Sequence, residues 1–316
     1  MKNLRKTKGQ STMKTSNKIL SVVLAMLLVF ALASCGASAK VYLPERLQSD
    51  QGNATYTYDK KNQVLNVEAT KVTATEEDGS SDFDASYGLL NFRNFKSNTE
   101  RNYYLVTGDN YAFNPLIKNG TIKKMVITYP DNNKLNSTTY LFRTNSKNQV
   151  TSVSAGSEKF NYKYDKAGRL ASKTAYAEGS EYYTTTFKYN KDNNIIAMAY
   201  KYSDAVLQQY QAALAQYGQA ASATDLKSLG NTSVSITYDK QGRVSGMNTK
   251  GQSTSSYTYN NNNQLISITS NSSGTKASNE FKYDGKGNLE TITSSSTSTE
   301  QDSEVTYTLS KFKNQG

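Results

Sequence analysis

One nine-residue pattern recurs along this chain, and it limits the possible folds more than any other feature. Tyr162-Lys163-Tyr164-Asp165-Lys166-Ala167-Gly168-Arg169-Leu170 is the clearest copy. Close copies start at Tyr56, Phe187, Ile236, Tyr257 and Phe281. Weaker ones start at Ile127 and Phe142, the latter with Thr144 in place of the second aromatic. A repeated unit must solve the same local folding problem each time, so its physics governs most of the chain.

Residues two apart on a strand project from the same face, so each aromatic pair marks one side of a sheet. Asp or Asn then takes the first position of a type I turn, where its side chain can bond the following backbone. Three residues later the turn needs left-handed backbone. Gly or Asn stands there in every copy: Asn62, Asn133, Asn148, Gly168, Asn193, Gly242, Asn263 and Gly287. These residues tolerate positive φ best. Each copy is therefore read as a β-hairpin with a type I turn and a G1 bulge. Its turn-forming pairs include Asp59/Asn62, Asp165/Gly168, Asp239/Gly242 and Asp284/Gly287.

The return strand opens on an apolar residue and often carries a second one three places on, as in Val64/Val67, Val150/Val153, Leu265/Ile268 and Leu289/Ile292. Strict alternation puts such a pair on opposite faces. Either a bulge resets the register, or the sheet is covered on both sides. Most successive copies lie 15–25 residues apart, too close for helical crossovers, so consecutive strands should pair antiparallel. The expected fold is mostly β. It is an antiparallel meander of consecutive hairpins forming a large twisted or curved sheet, with one inserted α-helix.

The pattern Y-x-Y-D-x-x-G-R-L resembles the YD repeat of the RHS family of large bacterial surface and toxin-shell proteins. In size the chain is more similar to envelope lipoproteins of Gram-negative gut bacteria that carry looser copies. The resemblance covers about residues 120–295 and the copy near 56. It implies an architecture and no activity, and there are too few units for a toxin cocoon.

Two stretches interrupt the array. From Asp204 to Tyr217, Val206, Leu207, Tyr210, Leu214 and Tyr217 recur at helical spacing, with Ser203 or Asp204 able to cap. This predicts a helix capping the open sheet. Residues 81–119 are the most aromatic part and are expected as an elaborated hairpin or irregular insertion packed on the sheet. Glu76 to Asp84 holds five carboxylates and is read as a solvated acidic loop, with calcium as the alternative. Residues 293–303 are expected as a Ser/Thr-rich loop before a final strand through Val305, Tyr307 and Leu309.

Cys35 is the one cysteine, and Leu32-Ala33-Ser34-Cys35-Gly36 resembles a lipobox. The apolar run from Ile19 to Ala33 follows Lys14 and Lys18. It suits a signal-peptide core and is short for a membrane span. The motif implies cleavage before Cys35 and lipid on its sulfur, giving a signal peptide (1–34), a tether (35–50) and one repeat domain (51–316). Met13 is a second candidate start. Gly36 is not the aspartate that favours inner-membrane retention, so an outer-membrane anchor facing the periplasm is expected, with the cell surface as the alternative.

Removing 1–34 takes away six basic residues and leaves 31 basic and 26 acidic ones, so the basic pI does not argue for nucleic acid. The chain has no histidine, which excludes Ser-His-Asp and Cys-His catalysis and His-based metal sites. No catalytic residue, metal site or cofactor is assigned. The leading expectation is a non-enzymatic, lipid-anchored envelope protein with a structural or binding role. Its partner would be a glycan or another envelope protein. Tyr56, Tyr58, Tyr162, Tyr164, Tyr257 and Tyr259 form a candidate binding face, unless they are simply core. A lipid or lipoprotein carrier with a curved-sheet cavity is the alternative, and a two-carboxylate glycoside hydrolase a further one.

Overall fold

A computed structural model describes residues 42–49, 52–71, 98–107, 117, 121–131, 134–216, 231–272, 274–297, 302–310 and 313–314. Cys35, the acidic run at 76–84, Asn133 and most of 81–119 lie outside these residues.

The first strands are β1 (Tyr42–Leu43), β2 (Arg46–Ser49), β3 (Gly52–Asp59) and β4 (Val64–Lys71), followed by helix α1 (Asn98–Thr107). Next come β5 (Lys124–Asp131), β6 (Lys134–Thr144), β7 (Val150–Ala155), β8 (Glu158–Tyr164), β9 (Leu170–Ala177), β10 (Ser180–Tyr189) and β11 (Ile195–Tyr202). Helix α2 (Asp204–Gln216) precedes β12 (Asn231–Tyr238), β13 (Val244–Thr249), β14 (Ser253–Tyr259) and β15 (Leu265–Ser272). The chain ends with β16 (Thr275–Tyr283), β17 (Leu289–Thr297), β18 (Asp302–Ser310) and β19 (Lys313–Asn314). β17 thus runs through 293–297 and β18 takes in 302–303 of the segment expected as a Ser/Thr-rich loop. Its Thr and Ser side chains suit a strand with one wet face.

Strands β2 to β18 close into a single barrel in sequence order, with β18 pairing β2. The expected mostly β meander of consecutive hairpins is present, and its curved sheet closes on itself. Closure with 17 strands has a geometric consequence. Strand direction cannot alternate all the way around an odd ring, so one neighbouring pair must run parallel. That pair is β4 with β5, in register from Val64↔Lys124 to Glu68↔Thr128. α1 lies in the connection between them.

The hairpin turns expected from the sequence appear in full at six copies. At Asp165 the Gly168 N–H donates to the Asp165 carbonyl (2.9 Å) and the Asp165 N–H to the Arg169 carbonyl (2.8 Å), a type I turn closed by a G1 bulge. The same pair of bonds recurs at Asn145, Asn190, Asp239, Asn260 and Asp284. Asn148, Gly168, Asn193, Gly242, Asn263 and Gly287 all have positive φ. Gly168 has φ 79°, and a Cβ there would meet only the Gln149 side chain at ordinary contact distance. The cost of a substitution at 168 is therefore backbone strain. Gly168→Val should lose about 1–2 kcal/mol in urea unfolding, and Gly168→Asn much less. Equal loss in both variants would contradict this account.

The first hairpin departs from the expectation. Gln63, and not Asn62, takes the left-handed conformation, with φ 57°. Here Asp59 pairs with Val64 and Tyr58 with Leu65 without a bulge, so the loop is one residue longer and its last residue turns the chain. Asn62 instead bonds Asp59 through its side chain (2.6 Å). The Gln63 carbonyl accepts from the Lys123 N–H (3.0 Å), where β5 joins the parallel seam. The weak copy at Ile127 also differs. β5 runs parallel to β4, so the β5–β6 connection lies at the opposite end of the barrel from the other turns.

A second bulge in six of the return strands settles the question of register there; β4 has none, and Leu65 and Val67 are buried while Val64 is half-buried. In β8–β9, Lys163 pairs with Ser172 and Tyr164 with Leu170, leaving Ala171 extra. The shift recurs where β7, β11, β13, β15 and β17 begin. The two apolar residues three apart therefore both face inward, and Val150, Val153, Leu265, Ile268, Leu289 and Ile292 are all buried. The first aromatic of each unit crosses from the second of these, as in Phe281↔Ile292 and Tyr257↔Ile268.

Inside the barrel Tyr56, Tyr162 and Tyr257 are buried, and Tyr58, Tyr164 and Tyr259 pack against the core. The candidate binding face therefore lies on the interior wall. The outer wall carries Lys159, Asn161 and Lys163 on β8, Thr254, Ser256 and Thr258 on β14, and Lys276, Ser278, Glu280 and Lys282 on β16. This is the reverse of the outward apolar band of a membrane-spanning barrel. Among the described residues no helix is long and apolar enough to cross a membrane.

α2 lies where the sequence put it, and none of its residues is buried. The cap is α1, from within the stretch expected as a hairpin or irregular insertion. Leu105 and Val106 of α1 join the core.

Candidate functional site

The most organised polar site is the end of the barrel where the turns gather and α1 closes the opening. The β-bulges create its chemistry. Beside the bulges, pairing with the next hairpin stops two residues short of the first return residue, as in β9–β10 where it ends at Ser172↔Thr186, and the buried backbone groups of Leu170 and its counterparts must find other partners.

Tyrosine answers half of this need. The second aromatic of each unit sends its hydroxyl to the first return residue of the preceding hairpin. Tyr164 donates to the Val150 carbonyl (2.8 Å), Tyr189 to Leu170 (2.8 Å) and Tyr238 to Ile195 (2.6 Å). Tyr259 donates to Val244 (3.0 Å) and Tyr283 to Leu265 (2.7 Å). Tyr58 makes the corresponding bond to Thr121 at the seam. Each hairpin is thus pinned to its neighbour through a phenol.

α1 answers the other half. Tyr103 accepts the Leu170 N–H (2.9 Å) on its hydroxyl, and its ring stacks on Tyr189 at 6.1 Å. Asn102, fully buried, accepts the Val244 N–H (3.0 Å) and donates to the Gly242 carbonyl (2.6 Å). Arg101 donates to the Asn263 carbonyl (2.6 Å) and side chain (3.1 Å), with its guanidinium 4.8 Å from the centre of the Tyr259 ring. Asn98 donates to the Gln241 carbonyl (2.9 Å). Burial lowers the Arg101 pKa, and the nearby Tyr259 opposes that shift. Burial pushes the Tyr103 phenol well above its usual range.

The turn carboxylates are committed to their own turns. Asp165 Oδ1 accepts the Arg169 N–H (2.9 Å), and Oδ2 accepts Arg169 Nε (2.7 Å). Asp239 repeats this with Arg243, and Asp284 with Asn288. Where Asn replaces Asp, at 145 and 260, its amide donates to Gln149 and Gln264. Acid faces a donor and amide faces an acceptor, so the fourth residue after the turn's start is matched to the first. Burial works to raise Asp165, Asp239 and Asp284, but the hydrogen bonds from their own turns prevail and hold each below the usual carboxylate range. Asp59 is lowered by its bonds to Asn62. A general acid needs the opposite shift.

Arg169 and Arg243 also reach forward around the ring. Their guanidiniums lie 4.5 Å from the Tyr189 ring centre and 4.4 Å from that of Tyr259. Among the described residues no group of three or more acidic, His or Cys side chains could hold a metal ion.

Arg101, Asn102 and Tyr103 were not singled out as site residues in the sequence. Asn98 with Glu100 two places on is a helix-start signal. It is obscured by the β-branched and aromatic residues that follow. The phenol ladder has no signature beyond the tyrosines, which also satisfy a simple core reading.

Residues 217–307 match the family model described as Teneurin YD-shell. The hairpin array in that part of the chain is therefore similar to YD-type repeats. No curated protein matches the chain. Among solved structures it is similar to one described as TcdB2-TccC3-Cdc42, at 17% identity and a TM-score of 0.26, covering 54% of this chain and 10% of that one. It is also similar to a porin-like protein from Bacteroides uniformis, at 11% identity and a TM-score of 0.38, covering 60% of this chain and 82% of that one. The chain spans about a tenth of the length of the first.

Proposed function

We propose that this protein is a non-catalytic, lipid-anchored shell of the bacterial envelope with a structural or binding role, held at the outer membrane and facing the periplasm. The observation that carries the reading is the barrel itself, closed by strand pairing and capped by α1 at its turn end. Its turn-tip carboxylates are tied to their own backbones, which supports structure over acid–base chemistry. The interior is filled by side chains such as Leu65, Met125, Leu170 and Tyr257, which favours a shell over a lipid carrier.

The N-terminal strand bears on orientation. Thr308 pairs with Thr291 near the start of β17, so β18 ends at the turn end, where β19 and its partner β1 follow. Cys35 precedes Tyr42 by seven residues, a reach of about 25 Å when extended. A lipid there holds the capped end toward the membrane and turns the other rim away from it. Labelled palmitate should enter the wild-type chain and not Cys35→Ser. Equal labelling of both would end the lipoprotein reading. Turnover of chromogenic glycosides or esters by the purified domain would end the non-catalytic one.

A further inference from the structure

The turn end of the barrel displays positive charge beyond what its capping chemistry uses. Lys166, Lys191 and Lys240 directly follow the first residue of their turns, as do Lys60 and Lys61 in the longer first loop. Lys147 and Lys286 stand one place later in theirs. All seven are exposed. The turns do not require them. Asn261 and Asn262 take the same places in the turn that opens at Asn260, which makes the same backbone bonds.

Most of the negative charge at this end is already committed. Asp165 and Asp239 hold Arg169 and Arg243 at 2.7 and 2.6 Å, and the two guanidiniums lie over the Tyr189 and Tyr259 rings. Asp59 and Asp284 bond their own turns. Asp192 is the one exposed carboxylate among the described turn residues. Just behind the tips, Arg143, Lys163, Lys188 and Lys282 are exposed on the outer wall, against Glu290. The opposite rim has no such excess. In the connections described there, Glu178 and Asp204 stand against Lys250.

We propose that the ring of turn-tip lysines docks the capped end of the barrel on the anionic phospholipid surface of a bilayer. Charge complementarity and position both carry the choice. β1, the first strand after Cys35, lies at this same end, so a lipid on Cys35 brings the lysines to the headgroups. For this partner the inference rests on the anchor proposed above. The acyl chains hold the protein, and the lysines set which end faces the bilayer. Ammonium groups on flexible stems, spread around one end, suit a plane of mobile phosphodiesters. A nucleic-acid duplex meets only one arc of such a ring at a time, which favours the plane over the rod.

The test uses the chain from residue 36, which lacks leader and lipid and keeps every described strand and helix. It should co-sediment with phosphatidylcholine vesicles containing about 30% phosphatidylglycerol, and not with phosphatidylcholine alone. Salt at about 0.5 M should release it. A lysine near an anionic surface is worth roughly fivefold in partition, so Lys147→Gln, Lys166→Gln and Lys191→Gln together should weaken binding about 100-fold. Lys250→Gln, at the other rim, should leave it unchanged. Equal sedimentation with both vesicles, or none with either, would overturn the proposal. So would a folded triple variant that binds like the wild type, or displacement by inorganic phosphate at matched ionic strength, the mark of a free-ion site. Tighter binding to duplex DNA than to the vesicles would overturn it in favour of nucleic acid. The wild-type comparison of the two vesicles decides the matter if the triple variant misfolds. No arm involves palmitate labelling, so the anchor and the docking surface fail separately.

Discussion

Raised above pH 10, the protein should unfold in one cooperative step, with tyrosinate absorbance growing in as β-sheet circular dichroism is lost. The cause is the phenol ladder. Burial raises Tyr189, Tyr259 and Tyr283 above the ordinary tyrosine value of 10.0, and Tyr103 on the plug well above it. The folded state keeps these phenols protonated where the unfolded chain has lost its protons. Stability is therefore intact below about pH 10 and falls as pH rises through the elevated values. Four such groups remove about 5 kcal/mol per pH unit, comparable with the whole stability of many domains. The acid side has the opposite sign. Asp165, Asp239 and Asp284 contribute above about pH 4, and that contribution disappears as pH falls through their lowered values. Gradual tyrosine titration near pH 10 with the sheet intact would show that the ladder is open to water.

Tyr103→Ala should be the most damaging single change at the capped end, costing about 3–5 kcal/mol in urea unfolding. It removes a buried ring stacked on Tyr189 and leaves the Leu170 N–H without its acceptor. Tyr103→Phe keeps the ring and loses the hydroxyl, with its bonds to the Leu170 N–H and the Tyr189 hydroxyl, so about 1–3 kcal/mol is expected. The difference between the variants separates packing from hydrogen bonding. A Tyr103→Ala protein with wild-type stability would mean that α1 is a passenger and not a cap.

The hairpins were legible because a turn is local. Aspartate, a glycine or asparagine three places on, and flanking apolar residues determine one another within nine positions. The bulge after the turn was visible as a conflict, two apolar residues three apart in a strand, though not as its resolution. Closure was not legible. It depends on β2 meeting β18 some 260 residues away, and no short pattern encodes that pairing. The plug was missed because its polar residues, Asn98, Arg101 and Asn102, look like surface. Arg101 and Asn102 are buried, and Asn98 half-buried, because the ring of turns offers carbonyls and N–H groups to meet them. The tyrosines first considered for binding are pointed inward by the same period-two rule that grouped them.

The parallel seam between β4 and β5 bears on how such a barrel can change size over evolutionary time. Duplicating or deleting a hairpin adds or removes two strands, which keeps the count odd and leaves one parallel junction in place. The segment that bridges that junction, and the cap it carries, can then be inherited unchanged while the wall around it widens or narrows. Gaining or losing a single strand would demand that the seam reverse, and the bridging segment would have to be reinvented. Lineages built on this plan should therefore differ in length by whole hairpins, with the crossover as the fixed point from which the array is counted.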